Sequence, residues 1–575
     1  MTAPRRTSLS VRRIVALGAL LRVLCLPLVA GAGEMPAQPP GSATAPAPGS
    51  MTVQAVGESI YREGRLPSGA PLQGLRQGGQ SIQGAAAACV LCHRTSGLGM
   101  REAGYAIPPI SGPYLFHERS RSAGEVDPPY VPGQRLNHAP YTDATLARAI
   151  REGVNSDGLT LGYLMPRFAL GDADMAALIA YLKSLGQQRF AGVTPTTLHF
   201  ATIITPDADP VKRQGMLDVM ERYVAEKNTF PFPPSPQMHT SGGIGATRGK
   251  SMYMANRHWQ LHVWQLEGAP AEWPAQLQRH YAEEPVLAVI SGLGGTHWAP
   301  VHAFCEQTHL PCLFPNLEVP VVAEHDFYSV YFSKGVLLES QLIAGRIGKA
   351  AAGNAAEPVQ QIFRAGDSGE AAARALADAL QPSGRRAEDV VIPDGPAGSG
   401  VREALRRASG TGPLVLWLRP DDLTALVEAP TPVRPVFVSG LMGGLEQTPL
   451  PPGWRERALL SYPFDLPDHR GVRLDYPLDW FRIRKIPLVA QQVQVDTYLA
   501  LGLLSENLSH MGDNFVPEYL VERMEEMLGH RILTGYYPHL SLSQGQRFAS
   551  KGGYLVQLPG SVNGGLTASG DWVVP

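Results

Sequence analysis

Between about residues 195 and 560, short apolar runs rich in β-branched residues alternate with helical stretches, and this order restricts the fold more than any other feature. "HFATIIT" is followed by "PVKRQGMLDVMERYVAEK", "WQLHVWQL" by "PAEWPAQLQRHYAEE", and "VLAVIS" by "APVHAFCEQTH" and then "PCLFP". A second series pairs "VQQIFR" with "GEAAARALADALQ", "DVVIP" with "GVREALRRAS" and "PLVLWL" with "DDLTALVEA", and ends on "PVFVSG". Strands separated by helix-length connections join as parallel neighbours rather than hairpins, so the alternation predicts doubly wound parallel sheets with helices on both faces. Two series imply two α/β lobes. The chain has 575 residues, which is long enough for at least one further domain.

That further domain is expected at 51–190, where "CVLCHR" spans Cys89 to Arg94. In C-x-x-C-H, two thiols add to the haem vinyl groups and the adjacent imidazole ligates the iron, which makes Cys89 and Cys92 thioether anchors and His93 the proximal ligand. A thioredoxin-like pair would need a strand before and a helix after, yet "GQSIQGAAAA" precedes and "RTSGLG" follows. A zinc site would need a second ligand pair, and 51–190 holds no other cysteine. One covalent haem c is the expected cofactor. Met165, in "GYLMPRF", is the candidate sixth ligand; His117 and His138 stay open, and Met100 is close to His93 in sequence. A thioether opposite the imidazole raises the potential and closes the iron to outside ligands, which suits electron transfer.

The N-terminus reads as an export signal. Arg5, Arg6, Arg12 and Arg13 precede an apolar run from Ile14 to Ala30 that Arg22 interrupts, so 1–32 is expected to be a cleaved signal peptide and not a lasting membrane span. Residues 33–50 form a Pro/Ala-rich linker, and 561–575 a Gly/Ser-containing tail. The expected compartment is the periplasm of a Gram-negative-type cell. There Cys305 and Cys312 could form a local disulfide or remain two separately buried thiols. A formal net charge of −2 offers no basic surface for nucleic acid. No nucleophile, phosphate-loop or further metal motif is present, so a binding and electron-transfer protein is expected rather than an enzyme.

Two family resemblances sharpen these readings. The order "GESIYREG", C-x-x-C-H, "IPPISG", "LMPRF" and "LGDADMAALIAYLKSL" resembles the single-haem class I cytochromes c, an all-α family. The resemblance implies that Gly57 and Tyr61 cross Tyr181, and that Pro108 or Pro109 lines the haem edge; a long insertion at 65–88 departs from it. Residues 191–560, including "VLAVISGLGGTHWAPVHAF", "FYSVYFSKGVLLESQLIAGRI" and "QVDTYLALGLLSENL", resemble the type I periplasmic binding proteins for branched-chain amino acids and related solutes. This implies a small polar ligand between the lobes, beyond the carboxyl ends of the strands. Candidate contacts are Gly294 and Thr296 in the Gly-rich "GLGGTHW" loop, Asn316 and Glu318 in "FPNLEV", and Ser439 in "SGLMGG". Glycine amides at a helix start favour a carboxylate there. The expected function is periplasmic electron transfer with a redox partner protein such as a quinoprotein dehydrogenase or a terminal oxidase chain. The alternative is a receptor for an ABC-type amino-acid or amide importer, with the haem as its redox reporter.

Overall fold

The structure, a computed structural model, describes residues 52–102, 105–116, 138–186, 190–229, 257–349, 357–511, 514–559 and 565–575. The expected signal peptide (1–32) and linker (33–50), and His117, lie outside these residues. Among the described residues no helix is long and apolar enough to cross a membrane.

The described residues of 52–186 include the helices α1 (Val53–Glu63), α2 (Val90–His93), α3 (Asp143–Glu152) and α4 (Asp172–Ser184), with a further short helix at Gly112–Phe116. Helix α1 is capped by the Thr52 hydroxyl, which accepts the Ala55 amide, and ends on Gly64 in the left-handed region. It crosses α4 at Gly57, where a Cβ would stand 2.2 Å from the Ala177 carbonyl oxygen and 2.6 Å from Tyr181 Cβ. The rings of Tyr61 and Tyr181 meet beside this crossing at 5.3 Å. Ile60, Leu146, Ile150, Phe168, Leu178 and Leu182 fill the core between the helices.

The resemblance implied an all-α segment, but strands are present as well. The inserted stretch forms a hairpin of β1 (Gln73–Leu75) and β2 (Ser81–Gln83), turned through Gly78 and Gly79 at positive φ. A second hairpin joins β3 (Met100–Glu102) to β4 (Tyr105–Ile107). Strand β1 also pairs with β5 (Arg167–Phe168), so the insertion grips the chain just after Met165.

The α/β body follows the alternation seen in the sequence. The first sheet has the order β7-β6-β8-β9-β10, all parallel: β6 (Thr197–Ile204), β7 (His258–Gln265), β8 (Ala288–Ile290), β9 (Cys312–Leu313) and β10 (Ser329–Val330). The second has the order β12-β11-β13-β14-β15-β16-β17. Its parallel part comprises β11 (Val359–Arg364), β12 (Ala387–Ile392), β13 (Leu414–Trp417), β14 (Val436–Ser439) and β15 (Ala458–Tyr462). Strands β8, β13 and β14 are buried along their whole length, as expected of parallel strands covered on both faces. The outer strands β16 (Tyr554–Gln557) and β17 (Thr567–Ala568) run antiparallel, so the end of the chain is an edge of this sheet.

The chain passes between the lobes three times. It leaves β10 for helix α6 (Val336–Lys349), which packs on the second lobe with helix α7 (Ser368–Leu380). It returns after β15 to form α8 (Gln491–Met511) and α9 (Pro517–Leu528), with α8 against α5 (Pro210–Lys227) of the first lobe. It crosses last between Ala549 and β16, after Phe548 has bridged to Tyr331. A disulfide joins Cys305 to Cys312, linking the end of the Ala299–Gln307 helix to β9.

Candidate functional site

Helix α2 is a single turn in which the Cys92 and His93 amides both bond to the Cys89 carbonyl. His93 Nδ1 lies 2.9 Å from the Pro108 carbonyl oxygen. A carbonyl can only accept, so Nδ1 carries the proton and Nε2 keeps the lone pair. Burial pushes the imidazolium pKa down to about 4, against the pull of the Pro108 bond, and the ring is neutral at physiological pH. Burial likewise pushes the Cys89 thiol up to about 12. A neutral imidazole with one fixed N–H beside two thiols on one turn is the donor set that covalent haem requires, so these residues fit the group.

Met165 packs half-buried against the same core as Cys89 and Val90. Its carbonyl accepts from Arg167, whose guanidinium fills the space beside Gly153, where a Cβ would lie 1.7 Å from Cζ. Leu159, Tyr163 and Leu164 on the same loop are exposed. His138 is bonded to the Ala139 carbonyl and packs on Tyr141, and Met100 begins β3.

Immediately after His93 the chain turns into the α/β body. Arg94 adopts φ 65°, and its carbonyl accepts from Tyr61 Oη at 2.6 Å. Its guanidinium is ion-paired to Glu525 of α9, whose other oxygen holds Arg547; exposures of 8%, 5% and 4% make this a fully desolvated triad. Ser96 donates its amide (2.9 Å) and its hydroxyl (2.5 Å) to Glu522, one turn earlier on α9. Leu98 and Tyr114 complete the seam by joining the core of the α/β body. Burial pushes the Glu522 carboxyl up to about 7, although Arg94 and Ser96 oppose it.

Between the lobes lies a second candidate site, a cavity of about 470 Å³. The structure brings Gly294, Thr296, Asn316 and Glu318 together in its wall. Ser439 lies elsewhere: it caps the short helix after β14, accepts from the Met442 amide and donates to the buried Glu339, while Leu441 faces the cavity. The physical reason is the buried Glu339 of α6, whose carboxylate accepts from the Ser439 hydroxyl and from the Gly440 and Leu441 amides. The sequence pattern did not single out Asp207, Lys212, Asp367, Arg419 and Gln492, although each follows a strand or begins a helix.

The expected carboxylate seat is filled from within. Asp207 accepts from the Gly295 amide (3.2 Å), the Thr296 amide (2.9 Å) and the Thr205 hydroxyl. Burial raises its pKa, but these three donors outweigh it and hold the group below the usual value. Arg419, after β13, grips Glu318, after β9, through two bonds of 2.8 and 2.6 Å, and also holds Asp367. Lys212 adds a bond of 3.1 Å to Glu318. Burial acts to raise Glu318, yet these two cations keep it well below the carboxylate range. The Arg419–Glu318 pair thus fastens one lobe to the other.

Residues 79–186 match the family model Cytochrome c. No curated protein matches the chain. Among solved structures, it is similar to a fatty acid ABC transporter substrate-binding protein from Thermomonospora curvata, with 15% identity over 68% of this chain and 95% of that one and a TM-score of 0.47. A leucine binding protein from Thermotoga maritima shows 12% identity, 66% and 99% coverage and a TM-score of 0.46. A solute binding protein of an ABC transporter from Rhodopseudomonas palustris, solved with 3,4-dihydroxy benzoic acid, shows 13% identity, 65% and 96% coverage and a TM-score of 0.47.

Proposed function

We propose that this chain, which joins a cytochrome c segment to a two-lobed α/β body similar to solute-binding proteins, is an extracytoplasmic electron carrier with one covalently attached haem, and that the lobes hold or dock on a small polar solute linked to its redox partner. Cys89, Cys92, His93 and Met165 would hold the haem, which would supply a one-electron couple. Pro108 fixes the imidazole tautomer, Tyr61 and Arg94 anchor the turn, and the β1–β5 pairing with Arg167 steadies the Met165 loop. The carrying observation is the neutral, oriented imidazole of His93 on the same turn as two thiols. The partner in this reading is a periplasmic dehydrogenase of the quinoprotein type or an oxidase chain, with the protein itself acting as carrier rather than catalyst.

The test uses protein expressed with a haem-attachment system. A pyridine haemochrome spectrum should give one haem c per chain, and Cys89→Ala with Cys92→Ala should abolish it. Met165→Ala should remove the oxidised protein's sulfur-to-iron absorption band; persistence of that band would transfer the sixth-ligand role to another residue. An importer-receptor reading is favoured by the interlobe cavity of about 470 Å³. It requires a solute that raises the melting temperature of the full chain, since binding only the folded state stabilises it.

A further inference from the structure

The seam between α2 and α9 places a carboxyl group where it can sense the charge of the haem site. Glu522 is buried, and both its oxygens are held by Ser96, three residues after His93. The loop between them is closed by the Gly99 amide bonding to the His93 carbonyl at 3.1 Å. Facing Glu522 are Arg94 and Tyr61 from the haem-bearing segment, and Glu525 and Tyr519 on its own helix, with Arg547 behind Glu525. Arg94 and Arg547 are both shared with Glu525, so the two cations balance the two carboxylates only when Glu522 is ionised. In this desolvated setting charges act on one another with little screening by salt.

We propose that Glu522 is a positioning residue for the redox reaction, taking up one proton from solvent as the site accepts one electron, so that the haem potential falls as pH rises. This rests on the electron-carrier reading above. The electron comes from a one-electron donor, a reduced mediator in the experiment, and the site's net charge is unchanged because one proton accompanies it. The sign follows from electrostatics: an ionised Glu522 favours the more positive oxidised state, and a protonated one removes that preference. Burial, which raises the group's proton affinity, puts the change near neutral pH. By reciprocity, reduction must strengthen proton binding at Glu522 by the same coupling that protonation applies to the potential.

Spectroelectrochemical titration of the haem-loaded full chain between pH 5 and 9 tests this. Wild type should show a potential that declines with pH and then levels. Glu522→Gln, which copies the protonated form, should lie flat at the wild type's low-pH value. Ser96→Ala removes one donor to the carboxylate and should move the inflection to higher pH, which keeps the test intact if the glutamine variant fails to fold. A wild-type potential independent of pH, a slope that persists unchanged in Glu522→Gln, or an unmoved inflection in Ser96→Ala would each overturn the proposal. Absence of a haem c spectrum from the loaded preparation sinks the electron-carrier reading itself, and with it this inference.

Discussion

At position 57 one methyl group decides whether two helices touch. The Ala177 carbonyl and Tyr181 Cβ occupy the space a Cβ would need, and neither is the far end of a flexible chain. Gly57→Ala should therefore destabilise the haem-bearing segment by about 1–3 kcal/mol, seen as a lower urea midpoint; an unchanged midpoint would mean that the helices separate freely. This residue was legible in the sequence because the cytochrome resemblance carried its partner with it. Asp207 was not, because the amides it fills belong to Gly295 and Thr296, 88 and 89 positions away. Composition and local pattern say that a glycine-rich loop can hold an anion, but they do not say whose. Ser439 shows the converse, since a plausible hydroxyl was drawn inward by a buried glutamate 100 positions earlier.

At the scale of elements, the period of the hydrophobic runs carried most of the body, including β6, β8, β11, β13 and β14. Less legible were β15, the antiparallel strands β16 and β17, and the β1–β2 hairpin built from the insertion. The ion triad on α9 was invisible, since nothing local distinguishes Glu525 from a solvated helix residue. Its weight is large because it is buried. Glu525→Ala takes the ion-pair partner from Arg94 and Arg547, leaving two buried guanidinium groups with Glu522 as a neighbouring carboxylate, and should cost about 3–5 kcal/mol, detectable as a lower melting temperature and new protease cleavage near residue 94. The exposed pair Arg374–Glu370 on α7 should contribute only about 0.3–0.5 kcal/mol. Replacing Cys305 and Cys312 together by serine opens a loop with a sequence separation of 7 and should cost about 2–3 kcal/mol, which a denaturant titration resolves.

For the whole molecule, three buried carboxyls set the response to pH. Burial pushes Glu339, Asp496 and Glu522 each up to about 7, despite hydrogen bonds that favour their ionised forms. Each binds a proton more tightly folded than unfolded, so its contribution is complete below the ordinary carboxylate range and disappears as pH rises through about 7. The melting temperature should fall between pH 5 and 8, and Glu339→Gln or Asp496→Asn should reduce that fall; a rise over this range would contradict the assignment. Glu318 works in the opposite sense: its depressed pKa stabilises the fold above the ordinary range and is lost only in stronger acid. The seam between the haem-bearing segment and α9 also has a history in time. Arg94 and Glu525 stand 431 positions apart, so a ribosome adding about 5–20 residues per second finishes the turn about 20–90 seconds before its partner exists. Through that interval Arg94 has no Glu525 to pair with, and the haem-bearing turn has no α9 to pack against.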